Sequence, residues 1–513
     1  MVELVDVRRG AYADSVQLMS ASRSMLEQKG VEWAAALIGT PANLETLAAE
    51  GFADPALGEA TASDVVIAVR AQSDGQARQA LDAAGTGLAS TGTSSSGTRP
   101  EAEPRSLEEA VRLLPGANTA LISVPGPYAA LEAHKALSRG LHTLLFSDNV
   151  PVADEISLKR RARDLGLLLM GPGAGTSYLG GTGLGFSNAV RKGPVGLVAG
   201  AGTGAQEIMT LVHRWGSGIS ATIGIGGRDL HDDVGGLMAG LALRALLDDE
   251  ETRLIILVAK PPSPKVAASL LSMLGAKAAV AAFIGLPDNS PAPAGVLLAG
   301  SMEEAAATAI VQLGLAPPAP GDGLAAAAAA AAARLKPQQT AVRGLFSGGT
   351  LCSETMVLIS NRLGPVHSNV PLRPEWALPG PPDAHRCLDL GEEEFTSGRP
   401  HPMIDAAARV EHIERAASDP ATAVILLDVV LGYGSHPDPS SVLGPVCERA
   451  GRGGSGPVVV TYVLGTEGDP QGREQQEQAL ADAGCVLAPT GARAALLAAA
   501  IAARQPQIAE EAP

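Results

Sequence analysis

Aromatic residues are scarce: Phe, Trp and Tyr make up 3% of the 513 residues. Any large core must be built from aliphatic side chains, and a hydrophobic content of 46% supplies them. Cysteine is scarce too. The four present, Cys352, Cys387, Cys447 and Cys485, are scattered, with no CxxC pair and no His cluster at metal-ligand spacing. That excludes a disulfide framework and a paired-thiolate zinc site, and predicts a reduced, cytoplasmic protein without a structural metal. A signal peptide is missing, because Met1 leads into VELVDVRRG, charged where an apolar stretch is needed. No apolar run is long enough to span a bilayer. Basic excess is missing as well: 38 Lys and Arg stand against 54 Asp and Glu, a formal charge of −16. This argues against nucleic acid or an anionic membrane as the main partner. It leaves room for a local anion site made of backbone N–H groups.

What the chain does have is 60 Gly and 37 Pro, which suits α/β domains with many tight turns. Its length predicts about three domains, at ~100–200 residues each. Residues 1–104 read as a small α+β unit, with strands at VELVDVRR, EWAAALIG and DVVIAVRA and helices at 14–29 and NLETLAAEGF. No Gly-rich turn follows the first strand, so this is not a nucleotide-binding half. Thr86 to Pro104 is rich in Ser, Thr and Gly and reads as a solvated loop. From Ser106 the pattern becomes βαβ: strands NTALISV, HTLLFS and LLLMGPG alternate with helices at 128–139 and 154–165. Such alternation implies a parallel sheet, whose ligands sit beyond the C-terminal strand ends. Pro125-Gly126-Pro127, SDNVP at 147–151 and MGPG at 170–173 lie at such ends.

The most telling stretch is GPVGLVAGAGTGAQE, Gly193 to Glu207. An apolar strand runs through glycines into a helix, which leaves bare amides at the helix N-terminus and suits a phosphate or carboxylate. The chain then repeats itself. GLFSGGTLCSE at 344–354 matches GLVAGAGTGAQE, and GRPHPMIDAAARVEHIERAASDPATAVILLDVV matches GGRDLHDDVGGLMAGLALRALLDDEETRLIILV. This is one α/β domain used twice, at 193–316 and 341–513, joined by a Pro/Ala-rich linker at 317–340 whose Ala325–Ala333 run is a short helix. The expected fold is a set of tandem Rossmann-like or flavodoxin-like parallel-sheet domains behind the small N-terminal unit. The paired turns predict a site between the two halves.

Candidate phosphate or substrate binders are Gly200, Gly202, Thr203 and Gly204 in the first turn, and Ser347, Gly348, Gly349 and Thr350 in the second. In each half a Gly-Arg pair precedes His and Asp: Arg228, His231 and Asp232, then Arg399, His401 and Asp405. Arg228 or Arg399 could clamp an anion bidentately, and His231 or His401 could donate to it or carry a proton. Asp229, Asp232, Asp233 and Asp405 read equally as helix caps. Asp428 ends an apolar strand and could line the site, as could Thr461, Thr466, Glu467 and Asp469. Cys352 stands at the second helix start, a setting that lowers a thiol pKa, though a small buried residue fits as well. No Ser/His/Asp triad, Walker A loop or dinucleotide GxGxxG can be read.

With those motifs set out, residues 106–188 resemble the CoA-binding domain of succinyl-CoA synthetase α-type subunits. The stretch 193–314 resembles the CoA-ligase domain of that superfamily, and 344–503 its β-type counterpart. The combination GLFSGGTLCSE, LDLGEEEFTSGRPHPMID, VILLDVVLGYG and GTEGDPQGREQQ resembles the FdrA family over the full chain. The resemblance implies a carbamoyltransferase subunit, working with partner subunits in allantoin breakdown, that converts oxalurate and phosphate to oxamate and carbamoyl phosphate. Arg399, His401 and Arg228 would then orient an anionic substrate. The synthetases use a phosphohistidine in a Gly-His-Ala-Gly loop, whereas PPSPKVAASLLSMLGAKAAVAAFIGLPDN after Lys260 has no His, and no ATP-grasp domain is present. Phosphate or carbamoyl phosphate is the expected ligand, with CoA left open and no metal expected. The alternatives are an NDP-forming acyl-CoA synthetase-like subunit and a non-catalytic scaffold. An oligomer with partner subunits is expected.

Overall fold

The computed structural model describes residues 1–11, 13, 15–26, 28–89, 104, 106–285, 292–318, 321, 323–396, 400–454 and 456–513. It divides into two compact units, one within Met1–Glu103 and one made of Pro104–Thr396 and His401–Pro513.

In the N-terminal unit, β1 (Val2–Arg8), α1 (Ser15–Leu26), β2 (Val31–Ile38), α2 (Pro41–Ala49), β3 (Val65–Ala71) and α3 (Asp74–Ala89) alternate. The sheet order is β1-β3-β2, with β3 antiparallel to both neighbours. Central β3 is covered on both faces, which is why VVIAVRA is apolar at every position but Arg70 rather than alternating. One face packs Leu18, Ala21 and Met25 against Ala77, Ala80 and Ala84; the other packs Leu47, Phe52 and Leu57 with Trp33. The expected loop from Thr86 starts later than the composition suggests, because α3 runs on to Ala89. The remainder of that loop, 90–103, lies outside the described residues.

The larger unit begins with α4 (Leu107–Leu113), β4 (Thr119–Ile122), α5 (Gly126–Ser138), β5 (His142–Leu145), α6 (Val152–Asp164) and β6 (Leu169–Met170), a parallel sheet ordered β4-β5-β6. The hairpin of β7 (Thr176–Leu179) and β8 (Thr182–Gly185) follows. Next come β9 (Lys192–Ala199), α7 (Gly202–Arg214), β10 (Ile219–Gly224), α8 (Leu237–Asp248), β11 (Leu254–Ala259), α9 (Pro264–Met273), β12 (Ala278–Phe283), β13 (Val296–Ala299) and α10 (Met302–Gln312). After α11 (Leu324–Ala332) the second half supplies β14 (Ala341–Phe346), α12 (Gly349–Leu363), β15 (Val366–Ser368), β16 (His385–Asp389), α13 (Glu393–Thr396), α14 (Val410–Ser418), β17 (Thr422–Val430), α15 (Pro439–Gly451), β18 (Val458–Leu464), α16 (Arg473–Asp482), β19 (Val486–Ala488) and α17 (Gly491–Ala503).

The repeat is visible in the strand order. The first half reads β10-β9-β11-β12-β13 and the second β16-β14-β17-β18-β19, both parallel throughout. Counted within each half, this is the flavodoxin-like order 2-1-3-4-5, which places ligands at the C-terminal strand ends near the switch point. Each half adds its own edge: the β7–β8 hairpin beside β10, and β15 beside β16. The periodic reading missed both edges, because these strands are only three or four residues long. The Ala-rich helix is not a free linker. Leu324, Ala328 and Ala331 of α11 are buried in one core with Leu497, Ile501 and Ile508. No helix among the described residues is long and apolar enough to cross a membrane.

Candidate functional site

The first Gly turn follows β9, whose Val195–Ala199 stretch is buried. The Gly200 amide donates to the Val258 carbonyl at 2.9 Å, and α7 then starts without a side-chain cap. Four amides at a helix start have no intrahelical partner, and among the described residues no acceptor is recorded for those of Gly202, Thr203 and Gly204. Gly202 and Thr203 are half-buried. Beside them lies an orphan: the buried Thr176 hydroxyl has no hydrogen-bond partner, and it sits 3.5 Å from where a Cβ on Gly202 would stand. A buried polar atom left unpaired is costly. Its placement at open amides gives this corner unused capacity for an anion with its own donor or acceptor oxygens.

The second turn is built alike and filled differently. The Asp428 carboxylate accepts from the Ser347 amide at 2.9 Å, the Gly348 amide at 2.8 Å and the Ser347 hydroxyl at 3.0 Å. It is thus an internal anion on the N-terminus of α12. Arg409, buried at 2% exposure, pairs with the same carboxylate at 3.1 Å and donates to the Asp428 and Leu345 carbonyls. Ser347 and Gly348 are therefore engaged within the chain. The two turns meet at their threonines. The Thr350 amide reaches the Thr203 hydroxyl at 3.4 Å, a Cβ on Gly204 would stand 2.9 Å from Thr350 Cγ2, and one on Gly348 would stand 2.9 Å from Thr203 Cγ2. Glycine at 204 and 348 is what lets the helix ends approach.

His401 lies near the second turn, since a Cβ on Gly391 would stand 3.1 Å from the Ser347 carbonyl as well as against the His401 ring. Its ring lies 5.9 Å from that of Phe186, which lies 5.5 Å from Phe146 beyond the end of β5. Nδ1 accepts from the Met403 amide at 3.2 Å, so the proton of the neutral ring is on Nε2. Burial pushes its pKa down to about 4, so at neutral pH His401 is an uncharged donor rather than a titrating group. Nε2 is 2.6 Å from where a Cβ on Gly391 would stand, and Asp389 Oδ1 is 3.2 Å from that same point. Asp389, at the end of β16 and 3% exposed, accepts from the Gly391 amide at 3.0 Å. Burial, then the neighbouring Glu392, pushes its pKa up to about 7 against the pull of Lys260 at the end of β11.

The remaining predicted residues are spread more widely. Arg399 lies outside the described residues. Arg228 pairs with Glu155 at 2.9 Å and donates to the Val150 carbonyl at 2.8 Å. Asp229 caps α8 through the Met238 and Ala239 amides and pairs with the fully buried Lys159 at 2.9 Å. His231, Asp232 and Asp233 are exposed. Asp405 caps the following turn through the Ala407 amide at 3.0 Å. Asp469 holds Asn188 at 2.8 Å and the Ala189 amide at 2.7 Å, while Glu467 meets His213 at 2.7 Å, so that cluster binds the 186–191 crossing to the second half. Burial pushes the Cys352 thiol well above its ordinary range, so it is not an activated nucleophile. A cavity of about 560 Å³ at the far end of α7, against Arg214, Trp215 and Thr490, contains none of the predicted site residues. Sequence reasoning missed Thr176, Lys260, Asp389 and Arg409. Asp389 closes β16, but that strand starts His385-Arg386 and shows no apolar run, whereas Asp428 lies inside apolar β17, two residues before its end; Arg409 sits in a helical stretch that looks solvated.

The halves also brace each other through matching glutamates. Glu207 of α7 accepts from the Gly491 amide at the start of α17 at 3.2 Å, and from the Tyr462 hydroxyl. Its counterpart Glu354 of α12 accepts from the Met302 amide at the start of α10 at 2.6 Å. Both are fully buried, and desolvation pushes them up to about 7 and about 8 respectively.

Residues 345–501 match the CoA-ligase family model, and residues 1–104 match the model described as AllF, heavy metal-associated domain. Residues 1–104 contain neither Cys nor His, so they lack the thiolate and imidazole ligands common in heavy-metal sites. A solved dinucleotide-forming acetyl-coenzyme A synthetase from Ca. Korarchaeum cryptofilum, in complex with phosphate and ADP, aligns with a TM-score of 0.28 at 15% identity, over 76% of this chain and 84% of that one. The alpha 2 subunit of an ADP-forming succinate–CoA ligase from Archaeoglobus fulgidus is 34% identical over 157 residues, 30% of this chain and 53% of that subunit, so the match spans about half its length. The Escherichia coli (strain K12) protein named Uncharacterized protein YahF is 39% identical over 510 residues, 96% of this chain and 97% of its own. The chain therefore belongs to the family of YahF, within the succinyl-CoA synthetase superfamily.

Proposed function

We propose that the chain is a subunit of a carbamoyltransferase of the FdrA type, which cleaves oxalurate with phosphate to give oxamate and carbamoyl phosphate and acts with partner subunits in allantoin breakdown. The observation that carries the reading is the open α7 N-terminus beside the orphan Thr176 hydroxyl, while α12 is closed by Asp428. In this reading the seat takes one phosphate, held by fixed N–H donors that also favour charge building up in the transition state. The AllF match over residues 1–104 supports the pathway. The His-free stretch after Lys260 argues against a phosphohistidine relay. In this reading phosphate binds at Gly202, Thr203 and Gly204, His401 donates through Nε2, and Arg399 and Arg228 orient the carboxylate of the substrate.

The CoA-ligase match at 345–501 favours one rival, an NDP-forming acyl-CoA synthetase-like subunit needing a separate ATP-binding chain. To separate them, the chain is purified with its genomic neighbours and assayed for phosphate-dependent oxalurate cleavage beside ATP- and CoA-dependent thioester formation. Cleavage without nucleotide is expected. Thioester product with ATP consumption and no cleavage overturns the carbamoyl reading.

A further inference from the structure

Asp389 is set apart from the other buried aspartates of the larger unit. Asp428 accepts three hydrogen bonds and an arginine; Asp229 accepts two amides and a lysine. Asp389 accepts a single bond, from Gly391 to Oδ1, and among the described residues no donor to Oδ2 is recorded. Oδ2 lies 2.5 Å from where a Cβ on Gly349 would stand, so this carboxyl edge lies against the start of α12, at the junction with α7. Asn369 fixes its backbone on both sides, taking the Asp389 amide and donating to its carbonyl, each at 3.0 Å. The ionisable groups facing it are Lys260 from the first half, and Glu392, Asp428, Cys352 and His401 from its own. Glycine at 391 keeps open the space between His401 Nε2 and Asp389 Oδ1.

We infer that Asp389 is the proton-transfer group of the site, taking the hydroxyl proton of phosphate and delivering a proton to the departing amide nitrogen. The inference rests on the carbamoyl-transfer reading above. The step balances: a phosphate oxygen bonds to the carbamoyl carbon, the carbon–nitrogen bond breaks, and the nitrogen leaves with the proton that phosphate surrendered. A carboxyl group that titrates near neutrality, as burial makes Asp389 do, can carry a proton both ways at the working pH. His401, neutral and donating from Nε2, holds the substrate beside it.

The test uses the full chain with its partner subunits, measuring kcat and KM for phosphate-dependent oxalurate cleavage from about pH 5 to about pH 9. Asp389→Asn is expected to lower kcat by roughly 10²-fold or more with little change in KM, and to abolish the inflection near neutrality. Asp389→Glu restores part of the rate. Gly391→Ala keeps the carboxyl but pushes a methyl between it and His401; it is expected to cut kcat about tenfold, and it decides the matter if Asp389→Asn does not fold. An active wild type whose Asp389→Asn variant, or failing that Gly391→Ala, keeps the same kcat and pH profile overturns the role of Asp389 alone. A wild-type complex that forms thioester and cleaves no oxalurate overturns the transfer reading, and this inference with it.

Discussion

The two halves of the repeat start from the same turn and finish it with opposite charges. In the first, the Gly200 amide is met by the backbone carbonyl of Val258, and the helix amides beyond it stay open. In the second, Asp428 stands at the place of Val258, and its side chain takes the Ser347 and Gly348 amides. The first half instead puts a cation, Lys260, two residues further along. A Gly-rich strand-to-helix turn is therefore a socket, and one strand residue decides whether the chain fills it or leaves it for a ligand. The repeat supplies two sockets; Asp428 fills the second, and no side chain caps the first.

The largest way to break that contrast is Asp428→Ala. It strands the Arg409 guanidinium in a buried place and frees three donors at once. Losing one partner of a buried pair costs about 3–5 kcal/mol, and urea unfolding should show a loss of that size. The double change Asp428→Val with Arg409→Leu, which copies the apolar first half, should lose less than the single change. A loss under about 1 kcal/mol for Asp428→Ala would mean that the second socket is not held by its own anion.

Much of this was legible beforehand, and the reason is physical. Buried parallel strands are continuous apolar runs, so RLIILVAK and AAVAAFIG announce β11 and β12, and two matched runs announce the repeat. The Gly turns were legible because bare amides and close helix approach both need glycine. The occupant of a turn was not, because it comes from far along the chain: Asp428 is 80 residues from Gly348. Thr176 and Gly202 are likewise brought together by the β7–β8 hairpin, too short to show a period. Arg228 looked like its repeat mate Arg399, yet it is tied to Glu155 by a domain contact that no local pattern encodes.

A second contrast can be sharpened with pH. Glu207 and Glu354 cap each other's half, and both are pushed up, to about 7 and about 8. A carboxyl with a raised folded pKa binds protons more tightly in the native state than in the unfolded chain, so its contribution is present at acid pH and lost as pH rises through the folded value. His385 and His401 act in the opposite direction. Both are pushed down to about 4, so stability falls as pH drops below their ordinary value. The opposing slopes offset each other between about 4.5 and 6.5, so thermal midpoints should be flat there and fall as pH rises from about 6.5 to about 8. Glu354→Gln should remove about 2 kcal/mol of that fall, and Glu207→Gln under about 1 kcal/mol. A midpoint that holds steady from neutral to alkaline pH would show that the two glutamates are ionised in place.

The smallest expected effect bears most directly on the open socket. Thr176 Oγ1 is buried and unpaired, so Thr176→Val removes a polar atom that contributes nothing to the empty fold. Stability without ligand should therefore hold within about 0.5 kcal/mol or rise slightly, since an unsatisfied buried group is itself a cost. With ligand the hydroxyl has work to do. If phosphate sits on the Gly202–Gly204 amides, one lost hydrogen bond to a charged group weakens binding roughly tenfold. Calorimetric titration of phosphate into the two proteins measures that difference, and the same titration on Ser347→Ala should show none, because Asp428 already fills the second turn. Equal phosphate affinity in wild type and Thr176→Val would place the anion away from α7, and the contrast between an open and a closed socket would lose its functional meaning.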